Sequence, residues 1–127
     1  MADKVKKVPG PDHPIEISRN GNRVVVKAGG RVIADSRRVL TLREAAYPPV
    51  HYIPREDVDM SAFERTDHST YCPYKGDASY FSAVIDGRQI SANTVWSYEM
   101  PFEAVGEIKE HFAFYPDRVD SIEELAA

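Results

Sequence analysis

Two glycine-marked reversals constrain this chain more than any other feature. Two runs rich in β-branched residues, residues 23–28 and 31–36, are separated only by Gly29-Gly30. A second pair, residues 78–85 and 88–98, is separated only by Asp86-Gly87. Two-residue connections that tolerate positive φ build tight β-hairpins, because their twist matches that of the strands they join. Neither span has room for a crossover helix, so the pairing is antiparallel and a doubly wound sheet is disfavoured.

The rest of the chain fills in around these hairpins. Ile15-Glu16-Ile17-Ser18 alternates as a short strand and is followed by the turn signal Asn20-Gly21. Residues 39–43 read as another strand, and residues 50–53 as a short extended piece between Tyr47-Pro48-Pro49 and Pro54. Ser61-Ala62-Phe63-Glu64 matches a capping box and predicts one helical turn. Pro101 suits a first helical position, and Phe102, Val105, Ile108 and Phe112 fall near one helical face. That pattern predicts an amphipathic helix over residues 102–111 despite Gly106. Residues 112–115 read as a closing strand stopped by Pro116. The expected organisation is a flexible tail at residues 1–14, one mainly β domain at residues 15–120, and a short helix or frayed tail at residues 121–127.

At 127 residues the chain can bury one core without staples. Its formal charge of -4 argues against a general nucleic-acid binder, which usually presents a basic face. The apolar runs are too short to span a membrane, so no membrane partner is expected. The lysines at positions 4, 6 and 7 precede no apolar region, so no secretory signal is read. Cys72 is the single cysteine and cannot pair within the chain, which suits a reduced, cytoplasmic setting.

Chemistry concentrates in residues 65–82, which carry a thiol, an imidazole, an amine, two carboxylates and three phenols. Pro73 removes a backbone donor and Gly76 loosens the chain, so residues 71–77 read as a loop, where sites commonly lie. Cys72 is the candidate nucleophile, with His68 as the base that would favour its thiolate. The competing reading is a buried, inert thiol. His68 and Cys72 could share a metal only with ligands brought from elsewhere, so no metal is assigned. Lys75-Gly76-Asp77 lacks the spacing of a phosphate loop, although Lys75 could face an anionic ligand. Trp96 and Tyr98 alternate on one strand and so share a face. Together with Tyr71 and Tyr74 they could line an aromatic pocket; the alternative is that Trp96 is core. Arg55, Glu56, Asp57 and Asp59 read as a solvated charged turn, and Arg118 as one half of an internal salt bridge.

Several separated motifs resemble a bacterial family called domain of unknown function 427. They are residues 31–36, the run Tyr47-Pro48-Pro49-Val50-His51-Tyr52-Ile53-Pro54, residues 66–76, Trp96-Ser97-Tyr98, and residues 114–119, in that order. The resemblance implies a β-tent fold, two antiparallel sheets meeting at an angle, as in methionine sulfoxide reductase B and the ligand-binding domain of cereblon. Many β-tent proteins hold zinc between two Cys-x-x-Cys pairs. This chain has no such pair, so that zinc is not carried over and no cofactor is expected.

The resulting expectation is a β-tent protein that binds, or binds and transforms, a small polar or anionic molecule. Its pocket is expected at Tyr71, Tyr74, Lys75, Trp96 and Tyr98, with Cys72 and His68 as the reactive pair. Two alternatives stand beside it: a thiol-dependent enzyme using Cys72, and a non-catalytic protein-interaction module.

Overall fold

The computed structural model describes residues 4–126. The described residues form ten strands, eight of them expected from the sequence: β1 (Ile15–Arg19), β2 (Arg23–Ala28), β3 (Arg31–Ser36), β4 (Leu40–Glu44), β5 (Val50–Tyr52), β6 (Phe63–Cys72), β7 (Gly76–Ile85), β8 (Arg88–Ser97), β9 (Ala113–Phe114) and β10 (Ser121–Leu125). They form three sheets, ordered β1-β4-β5, β10-β2-β3 and β6-β7-β8-β9, and every pairing is antiparallel. The chain is therefore mainly β, as its hairpin signals require. Both turns take the conformation their residues allow. Gly29 and Gly30 have φ of 59° and 74°, and Asp86 and Gly87 have 52° and 75°.

The first and third sheets are joined at one point. Ile53 and Phe112 exchange two backbone hydrogen bonds of 2.8 Å, extending β5 toward β9. Both side chains are essentially inaccessible. Phe112 packs edge-on against Phe63, with ring centroids 5.4 Å apart, in a core that includes Val24, Val26, Ile33, Phe81 and Val95. A second apolar cluster, around Leu42, Tyr52, Tyr98, Val105 and Ile108, lies under the first sheet and the β8–β9 connection.

Several segments differ from the sequence reading. Residues 71–77 are not all loop, because β6 runs to Cys72 and β7 starts at Gly76, leaving only residues 73–75 between strands. β6 is an edge strand, where irregular pairing costs little, and its register slips between Arg65 and Ser69. The predicted helix over residues 102–111 is a pair of 3-10 turns at Glu103–Ile108, broken where Val105 adopts φ -124°. Its flanks are tied to the β6–β7 connection and to the residue after β8: Phe102 N–H donates to the Lys75 carbonyl and Glu110 N–H to that of Tyr98, both at 3.0 Å. The buried positions Val105 and Ile108 are thus satisfied without a continuous helix. Near the capping-box segment a 3-10 turn forms at Met60–Ala62, capped two residues earlier than expected by Asp59, which accepts from Ser61 N–H. Finally, Ser121–Leu125 is a strand paired with β2, and not a helix or loose tail. Its acidic residues meet partners there, Glu123 beside Lys27 and Glu124 accepting from Asn20.

Residues 4–13, read from the sequence as a flexible tail, lie along the β6–β7 hairpin. Lys7 N–H donates to the Pro73 carbonyl (2.8 Å), and the Tyr71 hydroxyl donates to the Val5 carbonyl (2.6 Å). Lys4, Lys6 and Lys7 each place an ammonium over a ring, of Tyr71, Phe102 and Tyr74 respectively. Arg118 makes no salt bridge among the described residues. Its guanidinium donates to the Asn93 carbonyl (2.8 Å) and lies 4.1 Å from the Tyr115 ring centre.

Candidate functional site

A cavity of about 860 Å³ opens where the three sheets meet. Val24 and Val26 of β2 and Ile122 of β10 form its floor, with Ile53 and Phe114 beside them. The segment Tyr47-Pro48-Pro49-Val50-His51 makes one wall. Cys72-Pro73-Tyr74, from the end of β6 and the β6–β7 connection, line the cavity too, with Trp96 of β8 and Pro116. His13 and Glu44 stand at one end. The volume is within the range of small-molecule pockets, and the surface is largely apolar with a few polar groups, which is the usual composition of such sites.

Each wall has a local cause. Trp96 is aimed by a distortion of β8: between the pairs Phe81–Val95 and Ala83–Ser91 that strand carries two extra residues. Asn93 takes a positive φ of 48° there and donates its N–H to Ser82 Oγ. Thr94 Oγ1 accepts the Ala83 N–H that the lost ladder bond would orphan. The indole is then held by Tyr115, with ring centres 4.5 Å apart, and donates Nε1–H to the buried Tyr52 hydroxyl at 3.3 Å. Burial pushes the Tyr52 hydroxyl well above its ordinary pKa, so it remains a neutral phenol.

The polar end is a linked set of side chains. Lys75 Nζ donates to Glu44 Oε1, and His13 Nε2 donates to Glu44 Oε2 at 2.7 Å. The side chains of Lys75 and Glu44 are each only 12 % exposed. Burial alone pushes the Glu44 carboxyl up, but the hydrogen bonds and charges of Lys75 and His13 outweigh it, leaving the carboxyl below its ordinary value. The His13 ring is stacked on Tyr74 with centroids 3.9 Å apart and planes nearly parallel. An ionised carboxylate only accepts, so Nε2 of His13 carries the proton and a neutral ring presents Nδ1 as an acceptor. In the wall formed by residues 47–51, His51 Nδ1 lies 3.0 Å from Thr41 Oγ1, and its Nε2 lies 3.7 Å from Glu124.

Of the residues nominated from sequence, Cys72, Tyr74 and Trp96 line this cavity. Lys75 lies behind Glu44, and its ammonium is 5.8 Å from the Tyr98 ring centre. Tyr98 is 6 % exposed and belongs to the second core cluster. Tyr71 faces the N-terminal segment instead. His68 is exposed on β6 and packs against Tyr80. Because residues 68–72 are in a strand and not a compact loop, four residues separate His68 from Cys72 by about 13 Å. The two are not brought together as a nucleophile and its base. Sequence reasoning missed His13, Glu44, Tyr47, Pro48, Pro49 and His51. A signal for the last four was present: in the unusual run Tyr47-Pro48-Pro49-Val50-His51 two adjacent prolines exclude regular pairing at residues 48–49, just ahead of β5. For His13 and Glu44 no local signal exists, since 31 residues separate them.

Among the described residues no three His, Cys, Asp or Glu side chains are grouped to hold a metal ion, and no helix is long and apolar enough to cross a membrane. No curated protein matches the sequence. The profile of one family matches residues 16–125, nearly all of the strand framework that surrounds the cavity, and by that match the chain belongs to the family described as Domain of unknown function (DUF427).

Proposed function

We propose that this protein binds a small molecule in the cavity between its three sheets. What supports the reading is convergence: Trp96, Tyr74 and Cys72, from separate elements, stand around one opening together with His13, Glu44 and His51. Packing alone does not require this, since both apolar clusters close without the ring of Tyr74 or the imidazole of His13. Aromatic faces supply binding area at low entropic cost, and the two imidazoles supply orientation. The thiol reading keeps one supporting observation, the position of Cys72 in the cavity wall. A base beside it is not supplied by His68.

The test is a thermal-shift screen against a chemically broad small-molecule library, followed by Trp96→Ala and Tyr74→Ala. A ligand of this cavity stabilises the native protein by mass action and loses most of that effect in both variants. A hit indifferent to both substitutions removes the cavity from consideration. Iodoacetamide separates the thiol reading: a nucleophilic Cys72 labels quickly near neutral pH, below the free-thiol pKa of about 8.5, and Cys72→Ser abolishes turnover.

A further inference from the structure

The charges around the cavity define the class of its ligand, given that the cavity is a binding site as proposed above. Among the described residues no lysine or arginine lines it. The charge-bearing groups that do are Glu44 and the imidazoles of His13 and His51. The Lys75 ammonium is bonded to Glu44 and balances it one for one. His13 is bonded to the same carboxylate, and His51 lies between Thr41 and Glu124. Lys7 and Arg118 lie against the rings of Tyr74 and Tyr115 without lining the cavity, so no uncompensated positive charge is among its lining groups, and an anion seated there would meet the Glu44 carboxylate instead of a lining counter-charge. A cation fares little better, because Glu44 already holds both an ammonium and an imidazole. The remaining surface is aliphatic, proline and aromatic, which suits flat or ring-shaped bodies. Among the described residues no partner meets Nδ1 of His13, so one hydrogen-bonding position at the polar end is unused.

We infer that the ligand of this cavity is an uncharged, ring-bearing molecule that directs a hydrogen-bond donor to His13. This replaces the polar or anionic ligand that Lys75 suggested in the sequence. Lys75 is spent within the protein, and only the folded chain brings Glu44 to it.

Two dyes that share one body test the charge class directly. N-phenyl-1-naphthylamine is neutral and carries an N–H donor; 8-anilino-1-naphthalenesulfonate is the same framework with a sulfonate. Fluorescence titration should give saturable binding of the neutral dye and at least tenfold weaker binding of the sulfonate. Trp96→Ala should weaken the neutral dye at least tenfold. Tyr47→Ala, at a position 66 % exposed and therefore tolerant of truncation, should weaken it severalfold. Displacement of the neutral dye by tert-butylbenzene should exceed that by its cationic isostere, phenyltrimethylammonium. Equal or tighter binding of the sulfonate, still dependent on Trp96 and Tyr47, overturns the uncharged class while the cavity remains the site. Preferential displacement by the cation does the same. Neutral-dye binding that ignores both substitutions overturns the inference and the proposed site together. Binding of neither dye overturns the inference alone, and the thermal-shift screen then decides the site.

Discussion

Replacing Lys75 with Met keeps the aliphatic stem beside Tyr98 and removes only the ammonium that Glu44 holds. Removing one partner of a fully buried ion pair costs about 3–5 kcal/mol, whereas exposed pairs are worth about 0–1 kcal/mol. With both side chains 12 % exposed and His13 still bonded to the carboxylate, the expected loss is intermediate, about 2–3 kcal/mol. For a domain of this size that corresponds to a fall in Tm of roughly 6–15 °C. The pH dependence carries the sharper test. In the native protein the Glu44 carboxyl lies below its ordinary value of 4.5, so its contribution is fully present above that pH and is lost as the pH falls through the folded value. Without Lys75, burial, which pushes the carboxyl up, is opposed by His13 alone. The depressed value is then lost or reversed. The destabilisation should therefore be largest at pH 7 and should shrink as the pH falls through the carboxylate range. Urea unfolding of the wild type, Lys75→Met, Glu44→Gln and the double variant at pH 7 and pH 4 measures this. In the double variant the loss should be smaller than the sum of the two single losses, because no buried charge is left unpaired. A Lys75→Met protein within about 2 °C of wild type, or single losses that simply add, would refute the account of the polar end.

Glu99 gives a second acid-linked effect. Hydrogen bonding from Arg65 at 2.6 Å outweighs burial and holds its carboxyl at about 2, against an ordinary 4.5. Stability from this site is complete above pH 4.5 and fades toward pH 2, so Arg65→Gln should flatten that part of the stability profile as followed by circular dichroism. At the first hairpin, Gly29→Ala should cost about 1–2 kcal/mol and Gly30→Ala about 1 kcal/mol, because both sites require positive φ. The larger cost falls on Gly29 because an added Cβ there approaches Ile90 Cδ1 to 2.9 Å, while the site at Gly30 is open. Equal losses in chemical denaturation would contradict this. Cys72, half-buried in the cavity wall, should react with iodoacetamide more slowly in the native protein than in urea, and more slowly again with N-phenyl-1-naphthylamine bound. Mass spectrometry of the alkylated peptide reads both rates, and identical rates with and without the dye would separate the thiol from the bound molecule.

The glycine turns, the proline-marked breaks and the alternating runs were legible in the chain because each acts over a few residues. Gly29-Gly30 and Asp86-Gly87 dictate their hairpins whatever lies around them, and those hairpins exclude a parallel sheet. Recognition of the family rests on motifs of the same local kind. Local signals also misled. The apolar spacing of residues 102–112 is helical in period, yet that segment is bonded to Lys75 and Tyr98 beside the strands, and 3-10 turns bury Val105 and Ile108 equally well. Glu123 and Glu124 make the end of the chain look solvated until Lys27 and Asn20 are seen beside them.

Residue types nominated Cys72, Tyr74 and Trp96 for the cavity, since reactive and aromatic groups in irregular segments stand out from any core pattern. Tertiary structure alone decided what faces them. His13, Glu44 and Lys75 are distant in sequence, and whether an amine is a ligand contact or an internal counter-ion depends on which carboxylate lies within hydrogen-bonding distance. Charge is written in the sequence, but its compensation is a matter of distance, and distance exists only once the chain has folded.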